Sequence, residues 1–409
     1  MIDKNLGYNI EKAKSSVIFR DNIDVPIHRW FHYAEGFSNE FVNDCFSKYG
    51  IEEGDSVFEP FVGSGTVPLC AKMLNINSFG IELNPLMRFI ANVKNNFQTY
   101  DIEKVRKLKN SMILNNEKKM LPPEFLKNDK HFSTEILDEI LDIKTSIWNL
   151  ENIHEKDILK LAFASILLDV SNAKRVPSFG YKGKKNIEIG MAYEKFNTNL
   201  NKIISDIEKF SSLKLGKAKI KLGDARNKYF SDNLADIAIT SPPYANGIDY
   251  VTDYQLEMGW LDLIDKPQKS ELRNSMITYD KTKSSILREF YENGEFYREE
   301  NLINVVHELE KISKDYWKKD IHIVILKYFD DMKKVFQNTY DILKPGARFI
   351  LVVGDSLFKN VYVPADLLLA KLGENTGFVV EKIELARDRY SGQNRSYKLR
   401  ETILTLRKA

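Results

Sequence analysis

Apolar positions recur with two different periods along this chain, and the changes of period divide it into blocks. Short apolar runs between turn-forming residues predict strands, whereas apolar residues three or four positions apart predict helices between them. The seven predicted strands are Ser56–Phe58, Asn77–Glu82, Ala218–Leu222, Ala235–Thr240, Ala347–Val353, Phe378–Leu385 and Thr402–Arg407. Because strands alternate with helices, the pattern predicts an α/β fold with a doubly wound, mostly parallel sheet.

Two blocks interrupt this alternation. Residues 96–215 are rich in Lys, Glu, Asn, Ile and Leu, and their apolar residues have helical spacing, so we interpret them as a large helical insertion. Residues 251–330 are polar and charged and form a second insertion. The division predicts one α/β domain, made of residues 1–95 and 216–409, that carries both insertions.

Composition narrows the class of protein without naming a function. A hydrophobic content of 43% in 409 residues is typical of a globular protein, and the net charge of +2 is only a weak indication of a polyanionic partner. Two cysteines exclude a disulfide framework, and the six histidines show no paired spacing, so we expect no metal. A polar N-terminus and the lack of an apolar run of about 20 residues predict a cytoplasmic protein with no membrane contact.

The first candidate site is the glycine loop Glu59–Thr66, between a strand and a helix. Its glycines allow a sharp turn close to a ligand, and Glu82 ends the next strand, where a carboxylate can accept hydrogen bonds from ribose hydroxyls. The loop lacks the third glycine of a dinucleotide site and the Gly-Lys-Ser/Thr of a triphosphate site. The acidic Glu59 disfavours a pyrophosphate but suits the cationic amino group of a methionine moiety. The alternative is an ordinary strand-to-helix turn.

The second candidate site is the sequence Thr-Ser-Pro-Pro-Tyr at 240–244, which follows a predicted strand. Two prolines make a stiff loop, which presents the Ser241 hydroxyl and the Pro242 carbonyl as hydrogen-bond acceptors. Such acceptors can hold the hydrogens of an exocyclic amino group on a base, and Tyr244 offers a ring for stacking. Neither cysteine follows a proline at a strand end, which excludes chemistry at cytosine carbon 5. The alternative is a rigid structural turn.

Together these motifs resemble those of the DNA amino methyltransferases, which form N4-methylcytosine or N6-methyladenine. The resemblance covers about residues 30–90, 218–250 and 335–407, and it implies a seven-stranded Rossmann-like methyltransferase sheet with S-adenosylmethionine as its cofactor. By the same resemblance, the catalytic residues are Ser241, Pro242, Pro243 and Tyr244. The implied cofactor-binding residues are Phe37, Ser38, Glu59, Pro60, Phe61, Gly63, Ser64, Gly65, Thr66, Glu82, Leu83, Asn84, Asp224, Ala225 and Arg226.

The serine at position 241 is commonest in the N4-cytosine group, so cytosine N4 in double-stranded DNA is the expected target. The resemblance implies a role in restriction-modification or phage defence, with a cognate restriction endonuclease as a possible partner. Three alternatives stay open: an N6-adenine methyltransferase, an RNA guanine-N2 methyltransferase and a non-catalytic cofactor-binding subunit. Both insertions depart from the family's usual arrangement. Asn246, Asp249 and Tyr250 either shape the base pocket or cap the next helix.

Two basic segments are candidates for contact with nucleic acid. In the first, within the helical insertion, cations alternate with aromatic residues and no acid is present; its candidates are Lys174, Arg175, Tyr181, Lys182, Lys184 and Lys185. The second is the predicted loop Ala386–Arg400 between the last two strands; its candidates are Arg389, Tyr390, Asn394 and Arg395. For each segment the alternative is a solvated surface loop. We favour residues 96–215 as the DNA-recognition region.

Overall fold

A computed structural model describes residues 6–13, 17, 19–114, 116–175, 179–181, 183–210, 213–391 and 397–409. Lys182, Asn394 and Arg395 lie outside the described residues. The strands are β1 Ile10–Lys12, β2 Ser56–Glu59, β3 Asn77–Glu82, β4 Ala173–Lys174, β5 Gly180–Tyr181, β6 Ala218–Leu222, β7 Ala235–Thr240, β8 Leu343–Gly354, β9 Ser356–Phe358, β10 Val361–Val363, β11 Phe378–Ser391 and β12 Tyr397–Lys408.

The main sheet has the order β1-β11-β12-β8-β7-β2-β3-β6 within the described chain. Strands β6, β3, β2, β7 and β8 are parallel, and β12 is antiparallel to both β8 and β11. All seven predicted strands are present, which confirms the doubly wound α/β class. β1 was not among the predicted strands; it is an eighth strand of three residues that pairs parallel to β11 at the sheet edge.

The strand order reverses between β2 and β7. From β2 the chain continues outward through β3 and β6, whereas from β7 it continues to β8 on the other side. In an open α/β sheet, ligands bind outside the carboxyl ends of the strands at such a reversal. Glu59 ends β2 and Ser241 follows β7, so the topology brings the two candidate sites to this crevice.

The helices lie on both sides of the sheet and in the two insertions. They are α1 Asn39–Tyr49, α2 Thr66–Met73, α3 Pro85–Asn95, α4 Ile102–Ser111, α5 Asn128–His131, α6 Thr134–Asn149, α7 Lys156–Ile166, α8 Met191–Phe210, α9 Tyr250–Asp253, α10 Gln255–Trp260, α11 Lys266–Ser275, α12 Ser284–Glu292, α13 Glu300–Ser313, α14 Ile321–Ile342 and α15 Ala365–Thr376. None of the helices in the described part of the chain is both long and apolar enough to cross a membrane.

Alternate residues of the central strands pack on opposite faces of the sheet, as the two-residue period requires. Val57 and Ile237 face α1 and α2, while Phe58 and Ala238 contribute to the core beneath α14 and α15. A separate core joins α3 to the helices of the first insertion and to α9 and α10 of the second. The helical insertion therefore shares its apolar core with elements next to the crevice.

The segment predicted as the loop Ala386–Arg400 is largely strand. β11 extends to Ser391 and β12 starts at Tyr397, and the two form a long antiparallel hairpin. Charges of opposite sign across the ladder support the extension, with Lys398 Nζ 2.9 Å from an oxygen of Asp388. Arg389 and Tyr390 consequently lie on a strand and not in a loop.

Candidate functional site

A cleft of about 960 Å³, here called the first cleft, lies at the carboxyl ends of the central strands. It brings together most of the residues that the sequence analysis assigned to a cofactor. Those that line it are Phe37, Glu59, Pro60, Phe61, Gly63, Ser64, Thr66, Glu82, Leu83, Asn84, Asp224 and Ala225.

The glycine loop needs its glycines for conformation and for space. Gly63 has φ 53° and Gly65 has φ 87°, and both values lie in the left-handed region that favours glycine. A Cβ on Gly63 would lie 2.9 Å from Cε1 of Tyr33. The Glu82 carboxylate fastens the loop, because it accepts hydrogen bonds from Gly63 N at 2.7 Å and from Asn84 N at 2.8 Å.

The buried carboxyl group of Glu59 and the half-buried one of Glu82 line the first cleft, and no basic side chain lines it among the described residues. Glu59 is 3% exposed, and its Oε2 has no hydrogen-bond partner among the described residues. Burial and the neighbouring Glu82 hold the pKa of Glu59 well above its usual range. Burial also raises the pKa of Glu82 to about 7. A ligand with a cationic group would satisfy the unpaired oxygen and stabilise the ionised form of Glu59.

Three residues assigned to the cofactor are not part of the cleft lining within the described chain. Ser38 caps α1 by accepting from Phe41 N at 3.2 Å, and Gly65 packs its backbone against Ala91. The guanidinium of Arg226 is held by acids, with Nη2 2.6 Å from Asp224 and Nη1 3.0 Å from the buried Asp331, and its assignment to the cofactor stays a prediction. Arg226 therefore positions Asp224, which does line the cleft.

A second cleft, of about 1020 Å³, adjoins the first on the far side of the Ser-Pro-Pro-Tyr loop. Ser241 lines both clefts, Pro243 lines the first and Tyr244 lines the second. Pro242 is buried, and among the described lining residues it belongs to neither cleft. Ser241 thus stands at the boundary between two adjoining spaces.

The wall of the second cleft is built by the β11–β12 hairpin. The Tyr244 hydroxyl donates to Glu401 at 3.1 Å, and Arg387 forms an ion pair with the same carboxylate. Arg389 lies over one face of the Tyr244 ring, with its Cζ 5.3 Å from the ring centroid. One face of this ring is therefore covered by a guanidinium, which the sequence analysis did not foresee.

The residues that follow the Ser-Pro-Pro-Tyr loop either line a cleft or cap the next helix, the two roles that the sequence left open for them. Asn246 and Tyr250 line the second cleft, and Tyr250 also lines the first. Asp249 instead caps α9 by accepting from Thr252 N at 3.0 Å.

Two parts of the walls of the clefts were not predicted from the sequence. Glu35 lines both clefts and accepts a hydrogen bond from the Tyr254 hydroxyl at 2.6 Å, while burial raises its pKa. Leu272, Met276 and Ile277 of the second insertion close the first cleft on another side. No local motif marks these residues. The only available signal was the position of Glu35 just before Gly36 and Phe37.

The basic segment in the helical insertion forms the short β4–β5 hairpin. Lys174 and Lys184 are exposed, Tyr181 is 47% exposed, and Lys185 directs its Nζ to the Leu168 carbonyl at 3.3 Å.

Arg175 differs from the exposed lysines of this segment because its side chain is engaged within the protein. Its side chain forms an ion pair with the buried Glu257, donates to the Asp253 carbonyl and packs on the Tyr254 ring at 4.1 Å. It anchors the hairpin to α9 and α10. Since α9 starts at Tyr250, which lines both clefts, the hairpin lies close to them.

Comparison with known proteins adds an independent observation. The chain is similar to Type II methyltransferases. It is 26% identical to M.BsoBI of Geobacillus stearothermophilus over 95% of this chain and 86% of the relative. It is also 26% identical to M.AvaI of a Nostoc species over 91% of this chain and 83% of that relative.

More general comparisons are less informative. No protein-family model matches the chain. Among solved structures, geranyl diphosphate methyltransferase in complex with SAM is 7% identical, covers 98% of this chain and 100% of its own, and has a TM-score of 0.33. At that level the assignment of the fold rests on the sheet topology described above.

Within the described chain, no group of three or more His, Cys, Asp and Glu side chains is arranged to hold a metal ion. The titratable groups of the two clefts are instead glutamates, tyrosines, arginines and Asp224.

Proposed function

We propose that the protein transfers a methyl group from S-adenosylmethionine to the exocyclic N4 amino group of cytosine in DNA. The observation that carries the proposal is the meeting of two clefts at Ser241. A methyl donor in the first cleft and a base in the second would face each other at this side chain. Similarity to Type II methyltransferases over 95% of the chain supports the coarser part, a DNA methyltransferase of a restriction-modification system.

The methyltransferase relatives support S-adenosylmethionine as the cofactor, and the first cleft fits its chemistry. The unpaired Glu59 oxygen suits the cationic amino group of the methionine end, and Glu82 suits the ribose hydroxyls. Asp224, held in place by Arg226, is suited to the adenine ring. When bound, S-adenosylmethionine supplies a methyl group on a positively charged sulfur. When the bond between sulfur and the methyl carbon breaks, its electron pair stays on the sulfur, which becomes a neutral thioether.

The Ser-Pro-Pro-Tyr loop would make the N4 amino group reactive. Its lone pair is conjugated with the ring, so acceptors on the loop that hold the N–H hydrogens favour a more tetrahedral nitrogen. The Ser241 hydroxyl is at the boundary where such an acceptor is needed. The nitrogen lone pair then forms the new bond to carbon, and one N–H proton leaves to solvent. No covalent bond to the protein is needed.

A base inside a duplex is not accessible to a cleft of this kind, so we infer that the target cytosine is flipped out of the helix. The tyrosine rings at positions 244 and 250 are candidates for stacking against it in the second cleft. Serine at position 241 favours cytosine N4 over adenine N6, by resemblance to the N4-cytosine group.

The proposal is tested by incubating the protein with duplex DNA and S-adenosylmethionine, digesting the DNA to nucleosides and identifying the modified one by mass. We expect N4-methylcytosine, and sequencing for modified positions will then give the recognition site. Recovery of N6-methyladenine would show that the target is adenine N6 and not cytosine N4. Methylation of RNA alone would show that DNA is not the substrate.

The catalytic role of the loop is tested with Ser241→Ala. We expect methylation to fall by about 100-fold or more while binding of S-adenosylmethionine stays near the wild-type value, since Ser241 is assigned to the target amino group. Ser47→Ala, an exposed serine on α1, is the matched control and should retain full activity. Undiminished methylation by Ser241→Ala would remove this residue from the mechanism.

A further inference from the structure

The second cleft contains a cationic side chain with an unpaired donor. Arg389 lines this cleft beside Tyr244, and its Nη1 is buried without a hydrogen-bond acceptor among the residues that the structure describes. Buried polar atoms are nearly always hydrogen-bonded in folded proteins. A guanidinium nitrogen that lacks a partner at the wall of a cleft therefore points to an acceptor supplied by a ligand.

The surrounding residues hold Arg389 in place while leaving this donor unpaired. Glu401 also lines the cleft, but its two oxygens accept from the Tyr244 hydroxyl and from Arg387 Nε. Gly354, at the end of β8, makes room for the guanidinium, because a Cβ there would overlap Nη1 of Arg389 and lie 2.8 Å from Cε2 of Tyr244. Hairpin and sheet together place a forked donor next to the Ser-Pro-Pro-Tyr loop.

The edges of the candidate bases differ in a way that a guanidinium distinguishes. Beside its N4 amino group, cytosine has two neighbouring acceptors, the ring nitrogen N3 and the carbonyl oxygen O2. Beside its N6 amino group, adenine has the acceptor N1 and then a C2–H, which accepts nothing. A guanidinium presents two parallel N–H groups, so it fits two neighbouring acceptors and leaves one donor unpaired against adenine.

We propose that Arg389 donates to N3 and O2 of the target base and thereby selects an aminopyrimidine for the second cleft. The inference rests on the proposed function, and it assigns Arg389 to the base itself and not to the phosphate backbone. It predicts that the preference for cytosine over a base without O2 depends on the O2 carbonyl, which takes no part in the transfer of the methyl group.

The test compares two duplexes of the mapped recognition sequence, one with cytosine at the target position and one with a 2-aminopyridine C-nucleoside. This analogue keeps the amino group and the neighbouring ring nitrogen, and it has a C–H in place of the carbonyl that carries O2. We expect the wild-type kcat/KM to be roughly ten- to hundredfold higher for cytosine, the loss typical of a broken base-edge contact. Arg389→Ala should lose a similar factor on cytosine and should treat both duplexes alike. Arg407→Ala, at the distant end of the same hairpin, is the control and should discriminate as the wild type does.

Arg389→Lys separates base recognition from a structural role. It keeps a positive charge beside Tyr244 but loses the second parallel donor, so we expect it to discriminate less than the wild type. Wild-type discrimination by either Arg389→Ala or Arg389→Lys would overturn the proposal. Binding of S-adenosylmethionine to each variant tests whether the first cleft is intact. N6-methyladenine as the wild-type product would instead overturn the proposed function.

Discussion

Glu59 lies in an unusual environment for a glutamate side chain. It is buried, has an oxygen without a partner in the described chain, and lies close enough to Glu82 for their charges to repel. The raised pKa means that the carboxyl group holds its proton at pH values where an exposed glutamate is ionised. A cationic ligand reverses this preference, so ligand binding and proton release are coupled at this residue.

The coupling gives a pH dependence with a definite sign. Because an ammonium group stabilises the ionised carboxylate, binding of S-adenosylmethionine should release protons, and its affinity should increase as the pH rises above the usual range of a glutamate. Ionisation of Glu82, whose pKa is about 7, adds to the effect in the same direction. Isothermal titration calorimetry in two buffers with different ionisation enthalpies measures the number of protons released.

Glu59→Gln assigns the effect to its source. It should bind S-adenosylmethionine about 10- to 100-fold more weakly, the range for a lost hydrogen bond to a charged group, and release fewer protons. Glu53→Gln is the matched control, because Glu53 lies on the surface before β2, where it forms an exposed ion pair with Lys214. An unchanged proton release in Glu59→Gln would show that Glu59 does not meet the cation.

The glycine loop and its acids were predictable because a strand, a turn and a helix start follow one another in the sequence. Glu35 was not, since it reaches the site through a hydrogen bond to Tyr254, 219 positions away. The internal partners of Arg175 were not predictable for a related reason. A basic segment without acids is typical of a phosphate-binding loop, but the carboxylate of Glu257 lies 82 positions further on.

At the level of elements, helix α8 of the helical insertion anchors the segment before the first cleft. Asp206 on α8 is buried and accepts hydrogen bonds from Ile27 N, from the Arg29 guanidinium and from the Trp30 indole. Tyr33 and Glu35 follow a few residues later and line the cleft. One carboxylate thus connects the insertion to the wall of the site.

Asp206→Ala should destabilise the protein by about 3 kcal/mol, as expected for the loss of one partner of a buried ion pair that leaves several donors unsatisfied. The value is at the lower end of the usual range because Arg29 is 30% exposed. The free energy of unfolding in urea measures it. Asp169→Ala breaks an exposed pair with Lys195 on the same helix and should cost at most about 1 kcal/mol. Equal losses in the two variants would contradict the anchoring role.

In the β11–β12 hairpin, the local sequence pattern was not sufficient to predict the full length of the strands. Residues 386–400 contain many charged and polar side chains, which is typical of a loop. The sequence therefore predicted only the parts of the two strands outside this segment, Phe378–Leu385 and Thr402–Arg407. In the fold, β11 and β12 extend because each supplies the other's hydrogen bonds and opposite charges. Cross-strand pairing depends on a partner strand, and a single segment of sequence does not reveal which charges will face each other.

In the whole molecule, the helical insertion shares an apolar core with the α/β domain. Its core includes residues of α3 and α9, so the exposed β4–β5 hairpin has a fixed position close to the clefts. This arrangement supports residues 96–215 as part of a DNA-binding surface, which stays a proposal. The position of the β4–β5 hairpin was not predictable from the two insertions taken separately, because the apolar core that fixes it contains residues of both.

Lys174 of β4 and Lys184, three residues after β5, provide a test of this DNA-binding surface. If Lys174 and Lys184 each contact a phosphate, the double variant Lys174→Ala/Lys184→Ala should bind all duplexes more weakly, whatever their sequence. The slope of log Kd against log salt concentration should fall by about 2, because each phosphate contact contributes about 0.9. Fluorescence anisotropy with a labelled duplex over a series of salt concentrations measures this slope.

The control is the double variant Lys217→Ala/Lys219→Ala. It removes two exposed lysines at the start of β6, on the opposite edge of the sheet from the clefts, and should leave the slope unchanged. A wild-type slope in the hairpin variant would place the DNA on another surface, whereas an equal reduction in both variants would indicate only a general effect of net charge.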